Sequence, residues 1–533
     1  MAVPDLNTSR PTNNLRIFLD RRIITVFCFG MLSGLPWVMI GSALTLWLKE
    51  AGVSRTDIGY AGFIFTVFAI NFLWSPLLDQ VRLPLFRKLG SRRNWIFLCQ
   101  ILIAASCLLM STLSPASGVK IIVLTALLIA IAAATQDIAI DAYRVDLFDA
   151  KDAAFISAGA AAATSGWWTA FAGLGMVPLL LSDQGWKWPQ LYLLMGVTTL
   201  VLASCIFWSP APPTSSRQEH LNKLQQGNRQ LMALTSASKR NALLFLLLAP
   251  IALAIWTLSG NTGLPTALVS HPLWIPAVVV TEVALFLGLL WYLHQLQHQS
   301  SGLGRPNDGV LTAFYAWLLT TVVAPFDDFF QRNGTRLALS LLLFIVLFKL
   351  GEAFLGRMSI VFYKEVGFSN TEIAAYSKLL TWGITMAGAI PCALLNARFG
   401  LVKGLVVSGI FMAASNLMFS VLAFTGPNVP MFIATIVVDG LTTAWASVAF
   451  VGFISMLCSH TFSATQYALM SSLASLGRTT LAAFSGQMVD GLGGNWAPFF
   501  AITAFMVVPS LLILIGLKKA LNQLYSGAKK EEQ

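Results

Sequence analysis

One short stretch, ATQDIAIDAYRVD (134–146), sets the amide of Gln136 beside the ionisable side chains of Asp137, Asp141 and Arg144. Asp137, Asp141 and Arg144 are spaced i, i+4, i+7 and share one face of a helix. A carboxylate there can take up and release a proton, and Asp141 can pair with Arg144 one turn on. A second set lies later in the chain: Lys349 and Glu352 in KLGE, Asp439, and Arg478. Their formal charges sum to zero, so none is left unpaired away from water. The cations can receive carboxylates of a cargo while an acid takes up a coupling proton. A salt-bridge network that only holds helices together needs the same residues, and both readings stand. For Asp141 and Arg144, a latch with Asp79 and the basic stretch 79–94 (Arg87, Arg92, Arg93) stands beside a part in transport. Asp137 and Gln136, deeper in the same run, read as transport residues. Trp37, Trp167, Trp168, Trp382 and Trp445 sit away from span ends, where their faces could meet sugar rings or pack helix on helix.

The elements that must position these groups are apolar. Hydrophobic residues make up 56% of the 533 and charged ones 11%, against about 25% charged in a soluble domain. Fourteen apolar runs of 17 or more residues recur between 24 and 517, each able to cross about 30 Å of hydrocarbon as helix. Only helices and closed barrels satisfy their backbone in lipid, and these runs are too long for barrel strands. The expected fold is therefore all-α and polytopic.

Lys and Arg crowd alternate loops: Arg10, Arg16, Arg21 and Arg22 at the start, then 79–94, 208–241 and the tail. Loops of the other parity hold only Lys49, Arg55, Lys120, Lys187 and Lys364. This asymmetry places both termini in the cytoplasm. The net charge of +11 then needs only anionic lipid as its counterpart, with no nucleic acid. The first apolar run is too long for a signal peptide and lacks a small-residue cleavage site after it. The six cysteines lie in or at the ends of spans without ligand spacing and read as small apolar residues. No phosphate-binding Gly loop, metal-type His pair or Ser-His-Asp grouping marks an enzyme.

The chain repeats itself. LWLKEAGVSRTDIGY (46–60) parallels VFYKEVGFSNTEIAA (361–375), and GWKW (185–188) parallels GGNW (493–496), at offsets of 315 and 308. Two parallel halves of six spans describe the major facilitator architecture, with the substrate site between halves near mid-membrane. The expectation is a 12-helix core of 6+6 pseudo-symmetric halves, with two extra transmembrane helices inserted between them. Its parts are a cytoplasmic N-terminus (1–22), an N-terminal half (23–207) and a middle region (208–309) holding the inserted helices, about 242–259 and 274–293. An interfacial helix and linker (310–336) that ends its helix at Pro325, a C-terminal half (337–517) and a cytoplasmic tail (518–533) follow. Glu282 in the inserted pair has no obvious partner.

SGLP (33–36), FLWSPLLD (72–79), ATQDIAIDAYRVD (134–146), KLGEAF (349–354), ASN (414–416) and FSATQYALMSSLASLGR (462–478) together resemble the AmpG-type muropeptide permeases. The resemblance runs from about residue 15 to 517, excluding the inserted pair. It implies a bacterial inner-membrane importer of N-acetylglucosaminyl-1,6-anhydro-N-acetylmuramyl peptides for peptidoglycan recycling. It further implies drive by the proton gradient with no other cofactor, a monomer in the bilayer, and indirect support of β-lactamase induction. Gln136, Asp137, Asp141, Lys349, Glu352, Asn416, Gln466 and Arg478 occupy the family's polar positions. On that basis Gln136, Lys349, Asn416, Gln466 and Arg478 are expected to bind substrate, and Trp37, Trp167, Trp382 and Trp445 are expected to join them through their ring faces. Asp137, Asp141, Glu352 and Asp439 are expected to couple protons, and Asp79, Arg87, Arg92, Arg93 and Arg144 to gate or brace. Two departures keep charge but alter reach: Glu352 stands where relatives have Asp, and Asp439 where they have Glu. The extra spans sit mid-chain, whereas some relatives carry theirs at the C-terminus. A permease for another cargo, such as a siderophore, and a muropeptide-binding sensor that moves nothing remain alternatives.

Overall fold

The structure, a computed structural model, describes residues 14–53, 62–83, 89–114, 118–149, 152–212, 223–228, 249, 281, 316–317, 319–368, 372–476, 481–482 and 484–527. The chain forms two compact units, one of Met1–Pro213 with Phe329–Gln533 and one of Thr214–Asp328. In the smaller unit, Asn228 Nδ2 donates to Thr320 Oγ1 at 2.9 Å. Apart from residues 249 and 281, the expected inserted helices fall outside the described residues, as do Arg87, Glu282 and Arg478. Pro325 does not end a helix as expected. The π turn Leu319–Val323 leads into a helix Ala324–Asn333, with Pro325 in its first turn, where its missing N–H is tolerated.

In the larger unit, eight helices among the described residues are long and apolar enough to cross a membrane. They are Arg21–Leu48, Gly90–Met110, Val119–Leu147, Trp188–Trp208, Thr335–Val366, Leu401–Thr425, Val429–Leu457 and Trp496–Lys518. These take the first, third, fourth, sixth, seventh, ninth, tenth and twelfth places of a twelve-span core. Interrupted helices fill the other four. The second span is made of short pieces, Thr66–Ile70, Asn71–Leu73 and Ser75–Gln80. The fifth runs from Ala153–Trp168 through a π turn, Thr169–Leu174, into Met176–Asp183. The eighth opens with a π turn, Ile373–Leu380, before Thr381–Phe399, and the eleventh includes Ser463–Leu476 and Ser485–Gly491. The interrupted spans all lie where the halves meet, the fifth against the eighth and the eleventh against the second, and the unbroken tenth and fourth spans join the same seam against the fifth and the eleventh. A widened turn frees backbone groups that lipid would leave unsatisfied, so it belongs where protein or a wet cavity faces it.

The internal repeat has a physical counterpart. Trp188 Nε1 donates to Glu50 Oε2 at 2.5 Å, joining the end of the first span to the start of the sixth. Trp496 Nε1 donates to Glu365 Oε2 at 2.8 Å, joining the seventh to the twelfth. Each bond unites the two repeated strings of its own half. Gly52 and Gly367, which follow the two acids, both turn the chain with positive φ (77° and 111°).

The first and fifth spans touch backbone to backbone. A Cβ at Gly34 would lie 2.3 Å from the Trp167 carbonyl oxygen, and one at Gly166 would lie 2.1 Å from that of Phe27. The small-residue stripe SAGAAAATSG (157–166) permits this approach. It carries Trp167 and Trp168 on the turn that faces the second half.

Candidate functional site

A cavity of about 410 Å³ lies between the halves. The first half contributes Thr164, Trp167 and Trp168 from the fifth span. The second half contributes Lys349 and Glu352, Thr381 and Thr385, Asp439 and Ser447, and Tyr467 and Ser471. The seventh span breaks at Lys349, which ends Thr335–Phe348 and caps Leu350–Val366 with φ −97° and ψ 7°. The break is packed in place, because a Cβ at Gly351 would lie 2.2 Å from the Thr503 carbonyl oxygen. It turns Lys349 and Glu352 into the cavity together. Lys349 Nζ sits 2.5 Å from Glu352 Oε2 and donates to Ser447 Oγ at 2.7 Å. Asp439 accepts from Ser415 Oγ at 2.9 Å. With all three ionised, the described lining carries one net negative charge.

At the end of the bundle bearing the basic 79–94 stretch, the halves are joined. Arg92 is 4% exposed and binds Asp79 Oδ1 at 2.6 Å and Asp146 Oδ2 at 3.1 Å. It also donates to Ser463 Oγ of the eleventh span at 2.9 Å. Asp79 Oδ2 accepts from Thr465 N at 2.9 Å and Thr465 Oγ1 at 2.6 Å. The acid thus sits on the N-terminus of an opposing helix, where free N–H groups and the helix dipole favour negative charge. Arg144 Nη2 pairs with Asp141 Oδ1 at 2.9 Å, and its guanidinium lies 5.0 Å from the Tyr467 ring centroid. Tyr467 therefore touches the cavity on one side and the Asp141–Arg144 pair on the other. Arg93 ties the third span to the end of the sixth through the Ser209 carbonyl at 2.7 Å.

A profile of the Major Facilitator Superfamily matches residues 26–355. The chain belongs to the Major Facilitator Superfamily. It is 27% identical to the anhydromuropeptide permease of Escherichia coli (strain K12) over 509 residues, covering 95% of this chain and 82% of that one. It is also 27% identical over 507 residues to the protein named AmpG 4 of Rickettsia conorii, covering 95% and 99% of the two chains. Two solved structures share the fold. The human organic anion transporter MFSD10 has a TM-score of 0.53 at 15% identity, covering 93% of this chain and 99% of that one. The proton:xylose symporter XylE has a TM-score of 0.53 at 13% identity, covering 94% and 95%.

In this Major Facilitator chain the polar residues singled out from sequence divide by place. Lys349, Glu352, Asp439 and Trp167 line the cavity. Asp137 lies between the first and fourth spans, accepting from Ser33 Oγ at 2.5 Å. Gln136 is fully buried, accepts from Gln100 Nε2 and donates to the Leu32 carbonyl at 2.8 Å, so it ties three spans of the first half. Asn416 donates to Thr503 Oγ1 at 3.2 Å within the second half. Gln466 accepts from Ser459 N at 2.7 Å and Arg332 Nη2 at 3.0 Å, shaping the turn before the eleventh span. Trp445 donates to Asn396 Oδ1 at 2.8 Å and stacks on Phe411, which is 51% exposed on the outer face of the bundle. Trp37 packs on Phe65, Phe68 and Trp167, and Trp382 lies against Gly173. The sequence reading missed Thr164, Ser447 and Tyr467 in the lining and Ser415 behind Asp439. Two of them had a signal, since Tyr467 follows Gln466 and Ser415 precedes Asn416 in the family-like strings.

Proposed function

We propose that the chain imports anhydro-muropeptides, GlcNAc-1,6-anhydroMurNAc with or without peptide, across a bacterial inner membrane with protons. It works as a monomer, without a cofactor and without catalysing a reaction, and its termini lie in the cytoplasm. Through the cargo it supports peptidoglycan recycling and, indirectly, β-lactamase induction. The observation that carries this reading is Lys349 held by Glu352 at a break in mid-span, with Asp439 in the same cavity. Relatives over 95% of the chain include an anhydromuropeptide permease.

The cavity suggests how cargo and proton exchange. A cargo carboxylate displaces Glu352 from Lys349, because one ammonium cannot hold two anions equally well in a low-dielectric site. Glu352 then lacks its cation and takes up a proton, as does Asp439 when negative charge arrives beside it. The loaded site is neutralised and the halves can rock about it. Opening the basic end breaks the two Asp79–Thr465 hydrogen bonds and the Arg92–Ser463 bond, each worth about 1–3 kcal/mol. Arg92 keeps Asp79 and Asp146 throughout, since all three belong to the first half, so no charge is stranded.

Energetics set the drive. One charge crossing 100 mV is worth about 2.3 kcal/mol. A cargo with one net negative charge cancels that term when it enters with one proton, leaving the pH difference as the drive; when Glu352 and Asp439 both load, two protons enter, one net positive charge moves inward and the potential adds to the pH difference. Uptake of labelled disaccharide-anhydro-peptide into proteoliposomes, with and without an imposed pH gradient, tests this. Uptake should rise with the gradient and collapse with a protonophore; undiminished uptake in its presence rejects proton coupling. Saturable binding without counterflow identifies a sensor instead of a carrier.

A further inference from the structure

The two walls of the cavity differ in chemistry. Every ionisable lining residue among those described (Lys349, Glu352, Asp439 and Tyr467) comes from the second half. The first half presents only Thr164, Trp167 and Trp168. The two indoles are not equivalent. Trp167 is stacked on Phe171, with centroids 4.7 Å apart and an interplanar angle of 24°. Trp168 meets Trp167 at 82° and Phe171 at 77°, so no described ring covers its face in parallel. Thr164 lies four residues before Trp168 on the same helix face. Its hydroxyl proton is committed to the Ala160 carbonyl at 2.9 Å, which leaves the oxygen free to accept.

We propose that Trp168 and Thr164 form a pyranose subsite, so that cargo lies across the cavity with its saccharide on the first half and its anionic part on Lys349. This rests on the importer reading above and adds the residues that read the sugar and the direction in which the cargo lies. A pyranose ring offers a face of C–H bonds that packs on an indole, and a ring hydroxyl donates to Thr164 Oγ1. Among the described lining residues, the second half presents no indole and the first half no cation. A sugar-free anionic peptide therefore engages one wall only. Such a ligand binds without drawing the halves together, because only contacts made to both walls favour the closed state.

The test uses the full-length protein in proteoliposomes with three ligands: the anhydro-disaccharide, the disaccharide-peptide, and the free peptide. Trp168→Ala should raise half-saturation for both sugar-bearing ligands about tenfold. It should leave competition by the free peptide unchanged, and the free peptide should show no counterflow. Trp168→Phe, which keeps a ring and is the safer variant for folding, should lie between, and Thr164→Val should weaken the sugar-bearing ligands alone. Wild-type half-saturation in Trp168→Ala and Trp168→Phe, equal weakening of the free peptide, or counterflow of the free peptide overturns the subsite while leaving the importer reading intact. Absence of uptake of any sugar-bearing ligand by the unaltered protein overturns both.

Discussion

At the scale of the residue, the Lys349–Glu352 pair governs both folding and cargo. Lys349 is buried and Glu352 is partly buried, with side-chain exposures of 6% and 24%, so removing one partner leaves the other poorly compensated. Lys349→Met should lower stability by about 3 kcal/mol, read as a fall in thermal midpoint in detergent, and should abolish uptake. The double variant Lys349→Met with Glu352→Gln removes both charges and should recover most of the stability but none of the transport. A single variant as stable as wild type would show that the pair is solvated and not the site. Gly34 is a second sensitive position. Gly34→Ala puts a methyl 2.3 Å from the Trp167 carbonyl oxygen, and that atom is backbone. The spans must separate, at a cost of about 1–3 kcal/mol, which the thermal midpoint also reports.

At the scale of the element, the two indole–carboxylate bonds make each half a unit. Trp188–Glu50 and Trp496–Glu365 fasten the outer ends of paired spans at equivalent places. Trp188→Phe should lose a charge-assisted bond of about 1.5–3 kcal/mol, and Trp496→Phe a similar amount. Both should retain transport, since neither lies in the cavity; equal thermal shifts would confirm that the halves share the device. Arg332 works differently. It reaches the Leu457 carbonyl at 3.3 Å and Gln466 at 3.0 Å, and so holds the turn that presents Thr465 to Asp79. The helix ending at Asn333 therefore braces the gate from the second half's own side.

At the scale of the whole molecule, the described structure is a state in which the basic end is shut. Asp79→Asn weakens the acceptor for Thr465 and should open that end more often. The check is labelling of a cysteine placed by Ala464→Cys in a cysteine-free background, whose rate should rise several-fold when Asp79→Asn is added. An unchanged rate would mean that Asn71–Ser472 and the fifth–eighth span contact keep the halves closed without the latch.

Much of this was legible in the residue string. Lipid tolerates only long apolar helices, so hydropathy alone marked fourteen apolar runs, and the KEAG/KEVG and GWKW/GGNW echoes announced two copies of one unit. The i, i+3 spacing of Asp141 and Arg144, and of Lys349 and Glu352, announced pairs that one helix can make by itself. What only the tertiary structure decided is which way each polar side chain turns. Gln136, Asn416 and Gln466 are as polar as Glu352, yet they spend their groups on Leu32, Thr503 and Ser459 inside their own half. Trp168 and Trp445 are the same residue type, yet one faces the cavity and the other the outer surface. Membrane depth and helical period are local properties of a chain. The partner across an interface is set by helices hundreds of residues away, and no local spacing encodes it.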